Sequence, residues 1–325
     1  MLTTVRLIAG LVALIVGAEV IVRYGTRLAE RLRISPLLIG LTIVSIGTSA
    51  PELAVGIDAM IRDQGSLVLG NITGTNMVNL LLILGLAAAI RPIELPRHTL
   101  RLDLPAMVIS SVLLLLLTLD GGLATWEGTV LLAVAIGYTL LLVRAARRES
   151  GAPAAEQAAQ QAALDALPRN GRRTVALELA LLLAGTVMVV KGADWLVTGA
   201  VGIAAQLGVS ETLIGLTIVA IGTSLPELAT TLLATIRGSR SIAVGNLIGS
   251  SSYNLTFILG TSMLFGPPVV GVDRQLVLVD LPFMVGAALL CIPVFLTGSR
   301  ISRREGIGFV VAYAAYLTYL ILLRA

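Results

Sequence analysis

Charge, aromatic rings, cysteine and histidine are all scarce in this chain. Of its 325 residues only 13% are Asp, Glu, Lys or Arg, against about 25% in an ordinary soluble domain. One cysteine, Cys291, and one histidine, His98, cannot supply a disulfide framework, a zinc site or a thiol–imidazole pair. The net charge of +4 forms no basic stripe for nucleic acid, because the arginines fall between apolar runs.

Those runs are what the sequence has instead. Stretches of roughly 17 to 25 apolar residues, enough to cross a ~30 Å hydrocarbon core, recur from end to end. They are continuous rather than alternating, which predicts an all-α membrane protein and not a barrel. Ten transmembrane helices are expected near 5–22, 36–60, 66–90, 103–119, 127–143, 175–198, 212–236, 242–265, 280–297 and 306–323. Glu19 and the arginines behind it, with no small-residue cleavage site, make the first a retained helix rather than a signal peptide. Eighteen arginines lie in the odd-numbered loops and four, Arg6, Arg62, Arg274 and Arg324, on the opposite side. The positive-inside bias then places the odd loops in the cytoplasm and both termini outside the cell (inner or plasma) membrane. The longest connection, 144–174, reads as a cytoplasmic linker with a short surface helix over 154–167.

The chain also repeats itself. Residues 38–54 read LIGLTIVSIGTSAPELA and residues 213–229 read LIGLTIVAIGTSLPELA, differing at two of seventeen positions. The same offset of 175 carries Gly17 onto Gly192, Glu19 onto Asp194, Gly70-Asn71 onto Gly245-Asn246, and Asn79 onto Asn254. At an offset of 177, Asp103-Leu104-Pro105 falls on Asp280-Leu281-Pro282. The expected halves are 1–143 and 175–325, five helices each, with repeat motifs at 38–85 and 213–260. Five is odd, so the second half enters the membrane upside down, the arrangement of an alternating-access transporter with its site at the midplane.

Two carboxylates, Glu52 and Glu227, occupy matched positions inside these spans. A carboxylate at that depth costs on the order of 3 kcal/mol, so it is functional by default. Thr48 and Ser49, and likewise Thr223 and Ser224, precede the glutamates by one helical turn. Pro51 and Pro226 break the backbone ladder, so carbonyls from Ser45 and from Ala220 onward can face a cavity. Thr75 and Asn79, and Ser250 and Asn254, add an i, i+4 pair from the next helix of each half. Taken singly, such residues also serve as glue between membrane helices. Together they form a hard-oxygen set suited to Ca2+, which takes 6–8 oxygens. Cys, His and Met are missing from it, which disfavours zinc, copper and iron.

Both GTSxPE motifs, at 47–52 and 222–227, together with GN-x-x-G-[ST] at 70–75 and 245–250, resemble the α-repeats of the cation/calcium exchanger superfamily, which includes the sodium/calcium exchangers. The resemblance covers nearly the whole chain. It implies that Glu52, Glu227 and the Thr48 and Thr223 carbonyls hold Ca2+. It implies one sodium site of Ser49, Thr75, Glu227 and the Ala220 carbonyl, and a mirror site of Ser224, Ser250, Glu52 and the Ser45 carbonyl. The first and sixth helices would slide across the bundle, carrying Glu19 and Asp194; these could equally be interfacial residues paired with Arg23 and Lys191. Many members carry Asp where this chain has Asn254.

The expectation is a monomeric antiporter in the lipid bilayer, exchanging Ca2+ for Na+ without a cofactor or an enzymatic step. A proton/Ca2+ antiporter is the nearest alternative, since its repeats also carry paired glutamates. A cation channel would need a continuous pore, whereas this site lies within one chain. A hydrolase built on Ser49 or Ser224 lacks a nearby His or Lys base.

Overall fold

A computed structural model of the chain describes residues 2–32, 34, 36–95, 99–149, 171–206, 220–296 and 298–324. The expected surface helix over 154–167, His98, and most of the second repeat's LIGLTIV segment lie outside them. The first half runs α1 (Leu2–Leu32), α2 (Pro36–Thr48), α3 (Ala50–Ile61), α4 (Gly65–Ile90), β1 (Ile93–Glu94), α5 (Thr99–Leu117), β2 (Gly122–Ala124) and α6 (Thr125–Glu149). The second half runs α7 (Gly171–Gln206), α8 (Ala220–Thr223), α9 (Leu225–Ile236), α10 (Arg240–Tyr253), a π turn (Asn254–Ile258), α11 (Leu259–Met263), β3 (Val269–Gly271), α12 (Leu276–Leu296), β4 (Arg300–Ile301) and α13 (Arg303–Arg324).

Burial is inverted relative to a protein surrounded by water. Leu11, Ile15, Ile109, Leu140, Leu183 and Val311 are exposed, while Ser45, Glu52, Asn79, Glu227, Ser250 and Asn254 are fully buried. An apolar surround accepts such a surface, and only the interior then offers polar groups a partner. Seven helices among the described residues are long and apolar enough to cross a bilayer. The bent pair Pro36–Thr48 and Ala50–Ile61 makes an eighth if it is one span. The expected spans near 212–236 and 242–265 do not reach that measure. Only the Leu225–Ile236 part of the first is described as an apolar helix, and α10 spends much of its length on Gly, Ser and Asn.

Helices α1 and α7 are much longer than expected, at 31 and 36 residues. They form the most extensive helix pair in the protein, and glycine is the reason. A Cβ at Gly10 would sit 2.7 Å from the Gly192 carbonyl oxygen, and one at Gly17 would sit 2.9 Å from that of Gly185. Offset 175 maps Gly10 onto Gly185 and Gly17 onto Gly192, so the contact repeats about its own centre. Elsewhere, two antiparallel strand pairs tie loops together. Ile93 faces Ile301 and Glu94 faces Arg300; Gly122, Leu123 and Ala124 face Gly271, Val270 and Val269.

Candidate ion-binding site

The helix that carries Glu52 is broken beside Pro51, as expected, but at Ser49, so the Ser45 carbonyl is not freed by the break. Ser49 leaves helical geometry (φ −82°, ψ 9°), and the axis bends by 43° between α2 and α3. Pro51 opens α3, where an absent N–H costs nothing. Ser224 (φ −88°, ψ 5°) and Pro226 repeat this ahead of α9, so each glutamate lies in the first turn of a helix. That end of a helix carries unsatisfied N–H groups and favours negative charge.

The Ser45 carbonyl keeps a helical bond from the Ser49 N–H at 3.0 Å, and the Ser250 hydroxyl approaches it from α10 at 3.5 Å. Ser49 Oγ donates to Glu227 Oε1 at 3.2 Å, and Ser250 Oγ lies 3.4 Å from the same oxygen. One carboxylate oxygen of the second half is thus held by a hydroxyl from each half. Glu227 Oε2 and both oxygens of Glu52 are buried with no hydrogen-bond partner among the described residues. Buried polar atoms are nearly always paired, so three orphan carboxylate oxygens in one place are an exception that calls for a partner.

Asn79 and Asn254 enter by a route the sequence does not reveal. Each sits in a π turn, Val78–Ile83 and Asn254–Ile258, where the extra residue per turn rotates the side chains that follow. The Asn79 turn packs on α9, the helix of Glu227, and the Asn254 turn packs on α3, the helix of Glu52. All four polar atoms of the two amides, Thr75 Oγ1 and Ser224 Oγ are buried without a partner among the described residues. Thr48 is buried against α10, and Ala220 and Thr223 belong to α8, which packs on α4. Hydrogen bonds gather Ser45, Thr48, Ser49, Glu227 and Ser250 together, and these packings bring the helices of Glu52 and the remaining expected ligands against them.

Three polar residues absent from the sequence-based set hold this arrangement. Asn246 Oδ1 accepts from Thr48 Oγ1 at 3.2 Å, and Asn246 Nδ2 donates to Thr230 Oγ1 at 2.9 Å and Thr231 Oγ1 at 3.1 Å. Thr230 in turn donates to the Pro226 carbonyl at 2.8 Å, which fixes the direction of the chain of bonds. The amide therefore ties the segment before Glu52 to the turn after Glu227. Gly245-Asn246 was visible as part of the repeat, but nothing pointed to Thr230 or Thr231, whose mirrored positions are Val55 and Gly56. Asn246→Ala is expected to cost about 1–3 kcal/mol, the usual penalty for stranding buried partners. A thermal melt in detergent measures it, and an unchanged midpoint would rule out this brace.

Glu19 also departs from expectation. Its partner is not Arg23 but Arg237, with Arg237 Nε and Nη2 each 2.9 Å from Glu19 Oε2.

Comparison with known proteins agrees with the geometry. A family model described as sodium/calcium exchanger protein matches residues 2–144 and 177–322. The chain is 32% identical to the sodium/calcium exchanger MaX1 of Methanosarcina acetivorans, covering 97% of each chain. It is 38% identical to the inner membrane protein YrbG of Escherichia coli over 82% of this chain and 81% of the relative. The solved sodium/calcium exchanger from Methanococcus jannaschii superposes with a TM-score of 0.82 at 29% identity, covering 98% of both chains.

Proposed function

The chain belongs to the sodium/calcium exchanger protein family, multi-pass membrane transporters rather than enzymes, and from that premise we propose that it exchanges Ca2+ for Na+ by alternating access at Glu52 and Glu227. The observation that carries this reading is the pair of fully buried carboxylates with three oxygens unpartnered among the described residues. Two glutamates neutralise one Ca2+, and the Thr48 and Thr223 carbonyls extend its oxygen shell. Sodium in turn is assigned to Ser49, Thr75, Glu227 and the Ala220 carbonyl, and to Ser224, Ser250, Glu52 and the Ser45 carbonyl. Asn79 and Asn254 contribute neutral oxygens between them. The transported ions are substrates, and the site is complete within one chain.

The architecture we assign is ten spans in two inverted halves, 1–143 and 175–325, joined by the 144–174 linker. Cross-links between loops support the inversion. The strand pair β1–β4 joins the third loop to the ninth, and β2–β3 joins the fourth to the eighth. Arg240 of the seventh loop pairs with Glu94 of the third at 3.2 Å. Each link joins loops of equal parity, as a chain crossing ten times requires. The arginine-rich odd loops then face the cytoplasm of the cell membrane, with both termini outside.

Flux of radiolabelled Ca2+ in proteoliposomes, with sodium and proton gradients imposed separately, tests the coupling. Sodium alone is expected to drive uptake; uptake driven only by protons would replace this reading with a proton/Ca2+ antiporter. Passive Ca2+ leak without either gradient would indicate a channel. The neutral amide at Asn254 leaves two carboxylates at the site. Asn254→Asp adds a third group at which protons compete, so sodium-driven uptake is expected to depend more steeply on pH than in the parent. Parallel pH curves would show that position 254 does not set proton dependence.

A further inference from the structure

We propose that Glu19–Arg237 and Asp194–Arg62 are matched ion-pair latches on opposite faces of the bundle, and that exchange alternates which of the two is closed. The proposal rests on the alternating-access reading above. Offset 175 carries Glu19 onto Asp194 and Arg62 onto Arg237, so each pair joins an acid of one half to an arginine of the other. The turns that hold the arginines match as well. Asp63 (φ 58°) and Gly238 (φ 81°), each just after its arginine, take the same left-handed backbone.

Only one latch is closed in this structure. Arg237 holds Glu19, whereas Arg62 turns back on its own helix to Asp58, Nε to Oδ2 at 2.9 Å. Leu233 stands at the position mirrored from Asp58, so Arg237 has no such parking place. Asp194 is exposed and forms no ion pair with a described residue. Packing is unequal in the same sense. Helix α1 lies along α9, but among the described residues its mirror, α7, makes hardly any contact with α3. Between α7 and α3 lies a cavity of about 340 Å³ lined by Asp194, Lys191 and Val197 on one side and Pro51, Ala54 and Val55 on the other. It reaches Thr223, beside the candidate site.

Asp194 shares that cavity with Val55, seven residues and about 10 Å of helix short of Arg62. Closing the second latch therefore requires α7 to slide along α3 toward Arg62, whose long side chain spans part of that offset. The glycine contacts seat α1 and α7 backbone against backbone, so they move as one body. The same slide that brings Asp194 to Arg62 draws Glu19 away from Arg237 and removes the cavity. Arg237 and Glu19 are 58% and 38% exposed. A pair so open to solvent biases a population by only about two- to fivefold, which lets the protein cycle rather than lock.

The test uses cysteine pairs and a short bifunctional thiol reagent, with the parent's buried Cys291 as the unreactive background. Glu19→Cys with Arg237→Cys is expected to cross-link in one ion condition, Arg62→Cys with Asp194→Cys in the opposite one, and either bridge to stop flux reversibly. In a separate Val55→Cys protein, adding Arg237→Gln should lower labelling by an impermeant thiol reagent about two- to fivefold, as the cavity closes more often. A 62/194 pair that never cross-links in protein that still exchanges, or Val55→Cys labelling indifferent to Arg237→Gln, would overturn the latch. If the parent shows no sodium-driven Ca2+ flux but cross-linking alternates as described, the sodium coupling fails and the latch stands.

Discussion

Glu52→Gln and Glu227→Gln are each expected to reduce Ca2+ flux to background while leaving the protein folded. The two effects part because the charge serves the ion and not the fold. Burying a carboxylate in a membrane protein costs on the order of 3 kcal/mol, so an amide in its place relieves the apo protein rather than straining it. Glu52 has no hydrogen bond among the described residues to lose, and an amide oxygen at position 227 can still accept from Ser49 and Ser250. A bound Ca2+, by contrast, loses half its neutralising charge. At ~4 Å and an effective dielectric of ~20, even a pair of unit charges is worth about 4 kcal/mol, close to three powers of ten in affinity, and a divalent ion has more to lose. Radiolabelled Ca2+ uptake, set beside a thermal melt of the same preparation, separates the terms. Near-parental flux in either variant would remove the shared two-glutamate site.

The repeat made most of this site legible without coordinates. A carboxylate has little reason to sit inside an apolar span unless something binds it, and Glu52 and Glu227 do so twice in nearly identical surroundings. The break at Ser49 and Ser224 followed from the prolines. What escaped was set by packing between helices. The π turns at Asn79 and Asn254 change the helical phase by one residue, and no local composition requires that. Thr230 and Thr231 look like ordinary small residues on an apolar helix until Asn246 is seen reaching them from α10. The length of α1 and α7 was also hidden, because their charged outer turns look like loop while the glycine seam continues the helix. Arg237, 218 residues from Glu19, could not be named as its partner from spacing alone.

Gly245→Leu is expected to abolish flux as well, but by the opposite route, with the fold failing first. Helices α2 and α10 touch backbone to backbone here. A Cβ at Gly245 would lie 2.6 Å from the Leu37 carbonyl oxygen, 2.9 Å from Leu41 N and 3.1 Å from Gly40 Cα. One at Gly40 would meet the Ile242 oxygen at 2.9 Å. Overpacking costs about 1–3 kcal/mol where side chains can shift, and backbone atoms yield less, so about 3 kcal/mol or more is expected. The displacement passes straight to the site, because α10 carries Asn246 and Ser250 and leads into the Asn254 turn. Calcium needs oxygens at about 2.3–2.6 Å, so moving that helix by ~1 Å is enough to break the shell. Gly286→Leu is the control: among the described residues nothing lies within 4 Å of a Cβ at that position, on the strongly apolar helix α12. Its melting midpoint and flux should match the parent's, whereas Gly245→Leu should lower both. Two variants that melt and transport alike would mean that α2 and α10 can separate without disturbing the ion, and that the tight seam is not what positions Ser250.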